Sequence, residues 1–370
     1  MMKKKRILFL LESFDKGGIE KVTLDIVNHL DSEKYDVTVQ TFWYGGHCQS
    51  QVAAHVKVIP FFFRRYVRGI IRLIAYLSPR MLYRLFVHGD YDVEIAASDG
   101  GAAKVISGST NPHSRKVCWV HMDVVERGSK LKEFTNAETA RKIYEKFDVI
   151  VPVSEACKSQ FERKFGNVYP VKVVHNPMPV PDIITKSKAF FPQFSDDGIN
   201  FVCVGRLVEQ KGFDRLLDAV ARVEEKRNVP FHIYIIGEGP ARSDLESKIT
   251  NLNLDQKITL LGFCDNPYPY LKGASAFFLS SRDEAFPLVV GESLIVGTPV
   301  IATDCSGVRE WLGNGRYGMI LDNSTEGIYE GLVQVLKNPQ ILDEYRRVIP
   351  EAQAQISFEQ GMKNFEDILR

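Results

Sequence analysis

The segment 204–212 (VGRLVEQKG) places two cations beside glycines, between a strand-like run and a helical pattern over Asp214–Glu225. Arg206 and Lys211 therefore lie where a loop meets the N-terminus of a helix, a position that favours an anion. A guanidinium offers paired hydrogen bonds and an ammonium offers a point charge, so together they suit a diphosphate. Two solvated surface cations would produce the same pattern, and this stretch alone leaves both interpretations open. The segment is not a Walker A loop.

A second stretch, 284–292 (EAFPLVVGE), carries two carboxylates that suit a ligand rich in hydroxyl groups. Pro287 marks a helix start, because proline is favoured at the first helical position. Glu284 then lies in the preceding loop, and Glu292 lies about one turn inside the helix. Carboxylates accept hydrogen bonds from sugar hydroxyls, while the helix start between them donates N–H groups to a phosphate. Plain surface charges are the alternative, but the apolar flanks and the tight turn at 297–299 favour a specific site.

Near the beginning of the chain, Gly17 and Gly18 follow a strand-like run and open a helix predicted over Glu20–Leu30. Glycine lets the backbone approach a ligand closely, and the free N–H groups of a helix start attract an anion. A simple turn after a strand explains the glycine pair equally well, so phosphate binding here is one of two interpretations.

The composition describes a soluble globular protein of ordinary charge. The 370 residues are 45% hydrophobic and 25% charged, which suits two domains with a buried core. Lys and Arg total 47 against 46 Asp and Glu, so the net charge of +1 gives no reason to expect nucleic-acid binding. Six scattered Cys indicate reduced thiols in the cytoplasm. The apolar stretch of MMKKKRILFLLES is short for a signal peptide, and we predict no membrane span.

One region departs from this balance. Between Val37 and Gly89 the chain has seven Lys and Arg but no Asp or Glu. On a helical wheel over 64–77, apolar residues lie opposite four arginines, Arg64, Arg65, Arg68 and Arg72. Such a helix suits an anionic membrane surface, because cations attract headgroups while the apolar face is buried. We therefore predict a protein held peripherally on the inner face of the cell membrane; a packed helix with a solvated basic face is the alternative.

Short β-branched runs alternate with helical patterns along most of the chain. The strand candidates are Arg6–Leu11, Tyr35–Thr41, Val56–Pro60, Val93–Ala97, Lys116–Val120, Val149–Val153, Asn200–Val204, His232–Ile236, Ile258–Leu261, Ala276–Leu279 and Pro299–Thr303. Many are apolar without alternation, as parallel strands buried on both faces are. We therefore predict an α/β fold with two doubly wound, Rossmann-like domains facing across a cleft. The proline-rich stretch 175–200 is the predicted linker.

Together these residues resemble the retaining glycosyltransferases of family 4, which have the two-domain GT-B fold. The matching segments are 284–303 (Glu-x7-Glu followed by GTPVIAT), 204–212 (VGRLVEQKG), 152–155 (PVSE), 175–177 (HNP), 236–240 (IGEGP) and 261–263 (LGF). The resemblance extends from residue 17 to about residue 322. It implies an acceptor-side domain over 1–178 and a nucleotide-sugar domain over 179–352. A C-terminal helix over 353–370 would pack back on the first domain.

The resemblance also implies roles for individual residues. Glu292 would bind the ribose and Glu284 the donor sugar, while Arg206 and Lys211 would hold the diphosphate and stabilise it as it leaves. His121, in 119–123 (WVHMD), matches the histidine that contacts the donor sugar in this family. His121, Glu284, Arg206 and Lys211 are thus the predicted catalytic set. The further donor-binding candidates are Gly17, Gly18, Phe263, Phe286, Pro287 and Leu288.

The implied activity is transfer of a hexose, with retention of configuration, from a nucleotide sugar to a membrane-linked saccharide. UDP is the favoured nucleotide, and the product would belong to bacterial capsule, exopolysaccharide or lipopolysaccharide. No cofactor and no metal are expected, because two cations and helix N-termini can stabilise the leaving group. Two alternatives are a catalytically silent nucleotide-sugar-binding protein of the same fold and a sugar-nucleotide epimerase. The epimerase would need an acid and a base, for which only His121 and Glu284 are available.

Two further motifs are weak. Asp90-Tyr91-Asp92 is an Asp-x-Asp, as in metal-dependent glycosyltransferases of another fold. It precedes a predicted strand, whereas ligands bind beyond the carboxyl ends of parallel strands. The segment 237–242 (GEGPAR) lacks the third glycine of a dinucleotide fingerprint, so a dehydrogenase is not favoured.

Overall fold

The computed structural model describes residues 3–14, 17–43, 46, 48–63, 76–121, 137–195, 198–224 and 230–370. The chain divides into two compact units, the first formed by Met1–Pro177 with Phe358–Arg370 and the second by Met178–Ser357. The first unit gives way to the second after Pro177, one residue before the predicted domain boundary at residue 178. The second unit extends to Ser357 rather than to residue 352.

The first unit contains a six-stranded sheet in the order β3-β2-β1-β4-β5-β6. Its strands are β1 Lys5–Leu11, β2 Tyr35–Trp43, β3 Lys57–Phe63, β4 Val93–Ala96, β5 Arg115–Val120 and β6 Val149–Pro152. All neighbouring strands are parallel, and this order is that of a doubly wound nucleotide-binding fold. The helices described in this part of the chain are α1 Gly18–His29, α2 Pro79–Phe86, α3 Gly101–Ile106, α4 Ala137–Tyr144 and α5 Glu155–Phe165.

The central strand β1 shows why its sequence is apolar without alternation. Successive side chains of a strand point to opposite faces of the sheet. Leu8 and Leu10 pack in the core on one face, while Phe9 stacks on Phe365 with ring centroids 6.0 Å apart. Both faces are therefore covered, as the sequence predicts.

The second unit repeats this topology, in the order β12-β11-β10-β7-β8-β9. Its strands are β7 Ile199–Val204, β8 Phe231–Ile236, β9 Ile258–Gly262, β10 Ala276–Leu279, β11 Val300–Thr303 and β12 Gly318–Leu321. They are parallel throughout. Strand β12 was not predicted, because it begins with glycine, a residue depleted in strands. Its pairing with β11 defines it.

The helices of the second unit are α6 Val180–Lys186, α7 Phe213–Glu224, α8 Arg242–Asn251, α9 Tyr268–Gly273, α10 Leu288–Ile295, α11 Val308–Trp311, α12 Thr325–Lys337 and α13 Gln340–Gln353. Helix α6 lies inside the predicted linker 175–200, so that interpretation was wrong over 180–186. Pro181 lies in the first turn of α6, where proline fits the helix, and Ile183 is buried. A proline that indicated a linker thus starts a helix.

The last helix, α14 Phe358–Ile368, belongs to the first unit. It begins five residues later than the predicted range 353–370. The ring of Phe365 lies 5.2 Å from that of Trp119 on β5, and Lys5 Nζ donates to the carbonyl oxygen of Leu369 at 2.7 Å. Among the described residues, none of the helices is long and apolar enough to cross a membrane.

Candidate active site

Lys211 and Glu284 form an ion pair at the carboxyl end of the second sheet. Lys211 Nζ lies 2.6 Å from Glu284 Oε1, and the side chains are 20% and 11% exposed. Lys211 ends a short 3-10 turn, 209–211, that follows β7, and Glu284 lies in the loop after β10. Strands β7 and β10 are neighbours, so the sheet brings together residues that are 73 positions apart.

The Glu284 carboxylate is held from a second side. Ser281 Oγ donates to the same oxygen, Oε1, at 2.7 Å, and Ser281 is 1% exposed. Ser281 follows β10 closely, and Lys211 lies in the loop between β7 and α7. The carboxylate is therefore fixed where a ligand approaching the carboxyl edge of the sheet would meet it.

Arg206 also lies at this edge, directly after β7, but its side chain is exposed. The lysine stem packs over the neighbouring glycine, because a Cβ at Gly205 would lie 3.2 Å from Lys211 Cδ. The two predicted cations therefore occupy the same loop in different settings. Arg206 reaches into solvent, whereas Lys211 is partly buried against Glu284.

Glu292 lies on the second turn of α10 and is 5% exposed. The phenolic OH of Tyr268 approaches its Oε1 at 3.4 Å. Pro287 is the residue before the first helical residue, one position earlier than predicted, and Leu288 begins the helix. The segment 286–288 thus forms the N-terminus of α10, where backbone N–H groups are free for an anion.

Two aromatic residues of this site were not predicted. Trp311 stacks on Phe286 with ring centroids 4.5 Å apart and an interplanar angle of 24°, and Tyr268 reaches Glu292 from α9. Neither residue belongs to a sequence motif that indicated the site. Their roles follow from tertiary packing alone. The predicted Phe263 lies just after β9 and is 40% exposed.

In the first unit, Gly17 is the N-cap of α1 and Gly18 is its first residue, and a loop separates them from the end of β1. A Cβ at Gly17 would lie 2.2 Å from Glu20 Oε2. The Glu20 carboxylate therefore lies over the helix start, as in a capping arrangement. An anion bound here would have to displace that side chain.

His121 directly follows β5 and packs on Trp119, with ring centroids 4.5 Å apart. Its Nε2 is buried and has no hydrogen-bond partner among the described residues. Burial lowers the pKa of His121 to about 3, so the imidazole is neutral at pH 7. A neutral ring can donate or accept a hydrogen bond but supplies no charge.

The remaining predictions have different outcomes. Arg64, Arg65, Arg68 and Arg72 lie outside the described residues. Asp92 accepts a hydrogen bond from the backbone N–H of Arg6 at 2.8 Å and lies before β4, at the amino end of that strand. The described part of the chain contains no group of three or more His, Cys, Asp or Glu that could hold a metal ion.

Each unit has a parallel, doubly wound six-stranded sheet with candidate residues beyond the carboxyl ends of its strands, and two such units are the architecture of the GT-B class. Comparison with known proteins supports the family. A model described as Glycosyltransferase Family 4 matches residues 16–180, and one described as Glycosyl transferases group 1 matches residues 185–355. The chain belongs to glycosyltransferase family 4.

The relatives agree with this assignment. A Campylobacter jejuni protein named N-acetylgalactosamine-N,N'-diacetylbacillosaminyl-diphospho-undecaprenol 4-alpha-N-acetylgalactosaminyltransferase is 30% identical over 208 residues, which is 55% of each chain. An uncharacterized glycosyltransferase of Haemophilus influenzae is 23% identical over 91% of this chain and 92% of its own. The match to the first relative thus spans about half of that protein's length.

Solved structures share the fold. Sucrose-phosphate synthase from Thermosynechococcus elongatus has a TM-score of 0.81 at 16% identity and covers 98% of each chain. Anabaena HepE in complex with UDP-glucose has a TM-score of 0.75 at 18% identity and covers 98% of this chain and 99% of its own.

Proposed function

We propose that the protein is a retaining glycosyltransferase that moves a hexose from a UDP-sugar to a lipid-linked saccharide acceptor. The observation that carries this proposal is the Lys211–Glu284 pair, held at 2.6 Å at the carboxyl edge of the second sheet. Arg206 lies on the same loop, and Glu292 lies on α10. These residues supply cations for a diphosphate and carboxylates for sugar and ribose hydroxyls.

In the proposed reaction, the bond between the anomeric carbon and the diphosphate breaks while the acceptor oxygen bonds to that carbon on the same face. The acceptor proton passes to the departing diphosphate. Lys211 and Arg206 stabilise the charge that develops on the leaving group, together with the N–H groups at the start of α10. Glu284 accepts a hydrogen bond from the donor sugar, and no enzyme nucleophile is used. The two cations take the part that a divalent metal plays in other transferases.

Uridine is the base we propose. Anabaena HepE, which shares the fold, has been solved with UDP and with UDP-glucose. Phe263 and Leu261, both partly exposed at the end of β9, offer an apolar surface on which a base can pack. In the proposed complex Glu292 binds the ribose of the same nucleotide.

The proposed acceptor is attached to a membrane, and the protein acts on the cytoplasmic face. The Campylobacter relative is named for an acceptor on diphospho-undecaprenol, and a relative from Rhizobium meliloti is named as a lipopolysaccharide core glycosyltransferase. Around α2, three apolar side chains are exposed, Tyr76 at 81%, Met81 at 56% and Leu85 at 42%. Arg80 and Arg84 are exposed beside them. Apolar area combined with cations suits an anionic bilayer.

Calorimetric titration with UDP, GDP and ADP in EDTA tests the donor assignment. We expect UDP to bind to the wild-type protein and to bind at least about tenfold more weakly to Glu292→Ala, because a ribose contact is lost. Asp343→Ala, an exposed change on α13, serves as the control. If the control and Glu292→Ala bind UDP equally well, the ribose assignment is wrong. If no nucleotide binds to the wild-type protein, the silent binding-protein alternative fails together with the enzyme.

A further inference from the structure

Arg215, in the first turn of α7, is a buried cation behind the proposed donor site. It is 7% exposed, and its guanidinium donates to three carbonyl oxygens and one side-chain oxygen. The bonds go to Ser280 O at 2.8 and 3.1 Å, Ser281 O at 2.7 Å, Asn323 O at 3.3 Å and Asn323 Oδ1 at 2.5 Å. Burial lowers the pKa of this guanidinium, yet arginine stays protonated at neutral pH. A buried charge of this kind is costly unless its hydrogen bonds are fully used.

Gly212 makes this contact possible. Its φ is +64°, a left-handed conformation that favours glycine. A Cβ at this position would lie 2.2 Å from Ser280 O and 2.8 Å from Arg215 Nε. The missing side chain therefore lets the guanidinium reach the end of β10. Gly212 directly follows Lys211, so the same turn presents the lysine on one side and admits the arginine on the other.

Asn323 extends the connection to two further loops. Its Oδ1 accepts from Arg215, while its Nδ2 donates to Arg282 O at 2.9 Å and to Asp304 O at 3.3 Å. Asn323 follows β12, Asp304 follows β11 and Arg282 follows β10. One arginine and one asparagine thus tie together the loops after three adjacent strands.

The segment 280–284 accepts hydrogen bonds from Arg215 through the carbonyl groups of Ser280 and Ser281. Side chains of the same segment contact both residues of the Lys211–Glu284 pair. Ser281 Oγ donates to Glu284 Oε1 at 2.7 Å, and Ser280 Oγ donates to Lys211 O at 2.9 Å. A shift of the Ser280 and Ser281 backbone would therefore move both members of the Lys211–Glu284 pair. Arg215 touches neither of them directly with its guanidinium, so its influence passes through that backbone.

We propose that Arg215, together with Asn323, is a positioning group that sets the Lys211–Glu284 pair for sugar transfer. This inference rests on the proposed function. It assigns to Arg215 a role in turnover, in addition to any contribution that its hydrogen bonds make to stability. A bound diphosphate would meet a preset lysine and carboxylate rather than having to order them.

Arg215→Lys tests the role, because lysine keeps the charge but lacks the planar fork that bonds several carbonyls at once. The matched control is Arg222→Lys on the same helix. Arg222 is also bidentate, to Glu326 at 2.7 and 3.1 Å, but at an exposed position away from segment 280–284. In both variants an arginine of α7 loses its paired hydrogen bonds, to Asn323 in one case and to Glu326 at the start of α12 in the other. Only Arg215→Lys loosens the segment that holds Glu284.

We expect kcat to fall by about tenfold or more in Arg215→Lys, since small misplacements of reacting groups cost up to about 10²-fold. UDP affinity should fall by a smaller factor than kcat, because the proposed ribose contact, Glu292, is on α10 and receives no hydrogen bond from Arg215. Amide hydrogen exchange over 280–284 should accelerate in Arg215→Lys and remain unchanged in Arg222→Lys. If Arg215→Lys does not fold, Asn323→Asp replaces it. That variant keeps an acceptor for Arg215 but loses the hydrogen bonds that Nδ2 donates, and the same three results are expected.

The positioning role is overturned if wild-type transfer is intact and the variant has an unchanged kcat or an unchanged exchange rate over 280–284. It is also overturned if kcat falls equally in Arg222→Lys. The proposed function fails in a different way, since a wild-type protein that transfers no sugar contradicts it whatever the exchange rates show.

Discussion

Trp311 occupies the space that any side chain at position 291 would need. A Cβ added to Gly291 would lie 2.6 Å from Trp311 Cη2 and 2.7 Å from Cζ2. The indole in turn stacks on Phe286, which precedes the N-terminus of α10. Gly291, next to Glu292, and Phe286, before Pro287, therefore both lie against the same indole ring.

Gly291→Ala should destabilise the protein by about 1–3 kcal/mol, the usual cost of overpacking a well-filled core. Denaturant unfolding measures the change. The double variant Gly291→Ala/Trp311→Leu is the control, because the smaller side chain removes the colliding ring atoms. The alanine should cost less in that background than alone. Equal costs in both backgrounds would show that Trp311 does not fill this space.

Replacing Arg206 and Lys211 together by alanine should lower turnover by orders of magnitude. Loss of one preorganised donor to a developing anion commonly costs about 10²–10³-fold. Initial rates with saturating donor measure the effect. Arg309→Ala provides the control, since Arg309 is an exposed cation of the same unit, paired with Asp304. A double variant as active as this control would remove the two cations from the mechanism.

Sugar transfer should be fully retained in EDTA, because Lys211 and Arg206 take over leaving-group stabilisation. Rates before and after chelation, and after adding back Mg²⁺ or Mn²⁺, test this expectation. Full loss of activity on chelation and full recovery with a divalent ion would contradict the metal-independent mechanism.

The stability of the protein should depend on His121 under mildly acidic conditions. Burial lowers its pKa from 6.5 to about 3, so between these pH values the unfolded state binds the proton more readily than the folded state. Stability therefore falls as the pH falls through this window. His121→Asn should lose less stability than wild type between pH 7 and pH 5, measured by denaturant unfolding. His113→Asn, a change at an exposed histidine, is the control and should lose as much stability over this pH range as wild type. If His121→Asn also loses as much as wild type, the ring is solvated and the prediction is wrong.

Neutralising the basic region should weaken binding to anionic vesicles. Replacing Arg64, Arg65, Arg68 and Arg72 by Gln removes four cations, each worth about 1 kcal/mol near an anionic surface. Co-sedimentation with phosphatidylserine vesicles measures the loss, and a second variant, Met81→Ser/Leu85→Ser, tests the apolar contribution around α2. Arg309→Gln/Arg316→Gln, which neutralises two exposed arginines of the second unit, is the control. Undiminished vesicle binding by the basic-region variant would exclude that region as the contact.

Much of the fold follows from local pattern. The apolar runs predict eleven of the twelve strands in the described part of the chain, because strands buried on both faces cannot contain polar residues without a cost. The exception, β12, begins with a glycine, a residue depleted in strands. Helix α6 was missed because its proline and apolar residues are compatible with a linker until a core is present to bury Ile183.

The sequence by itself determined the α/β class, the two units and the family, since these depend on periodicity and on short motifs. It also placed Arg206 and Lys211 between a strand and a helix, Glu284 in a loop and Glu292 inside the helix that follows. Only the tertiary structure decided that Lys211 pairs with Glu284. It also decided that Arg215 and Asn323 hydrogen-bond to the loop that follows β10 and contains Glu284. The physical reason is that these contacts join side chains 73 and 108 positions apart. Such pairs are set by strand order and loop packing, and no local spacing along the chain records them.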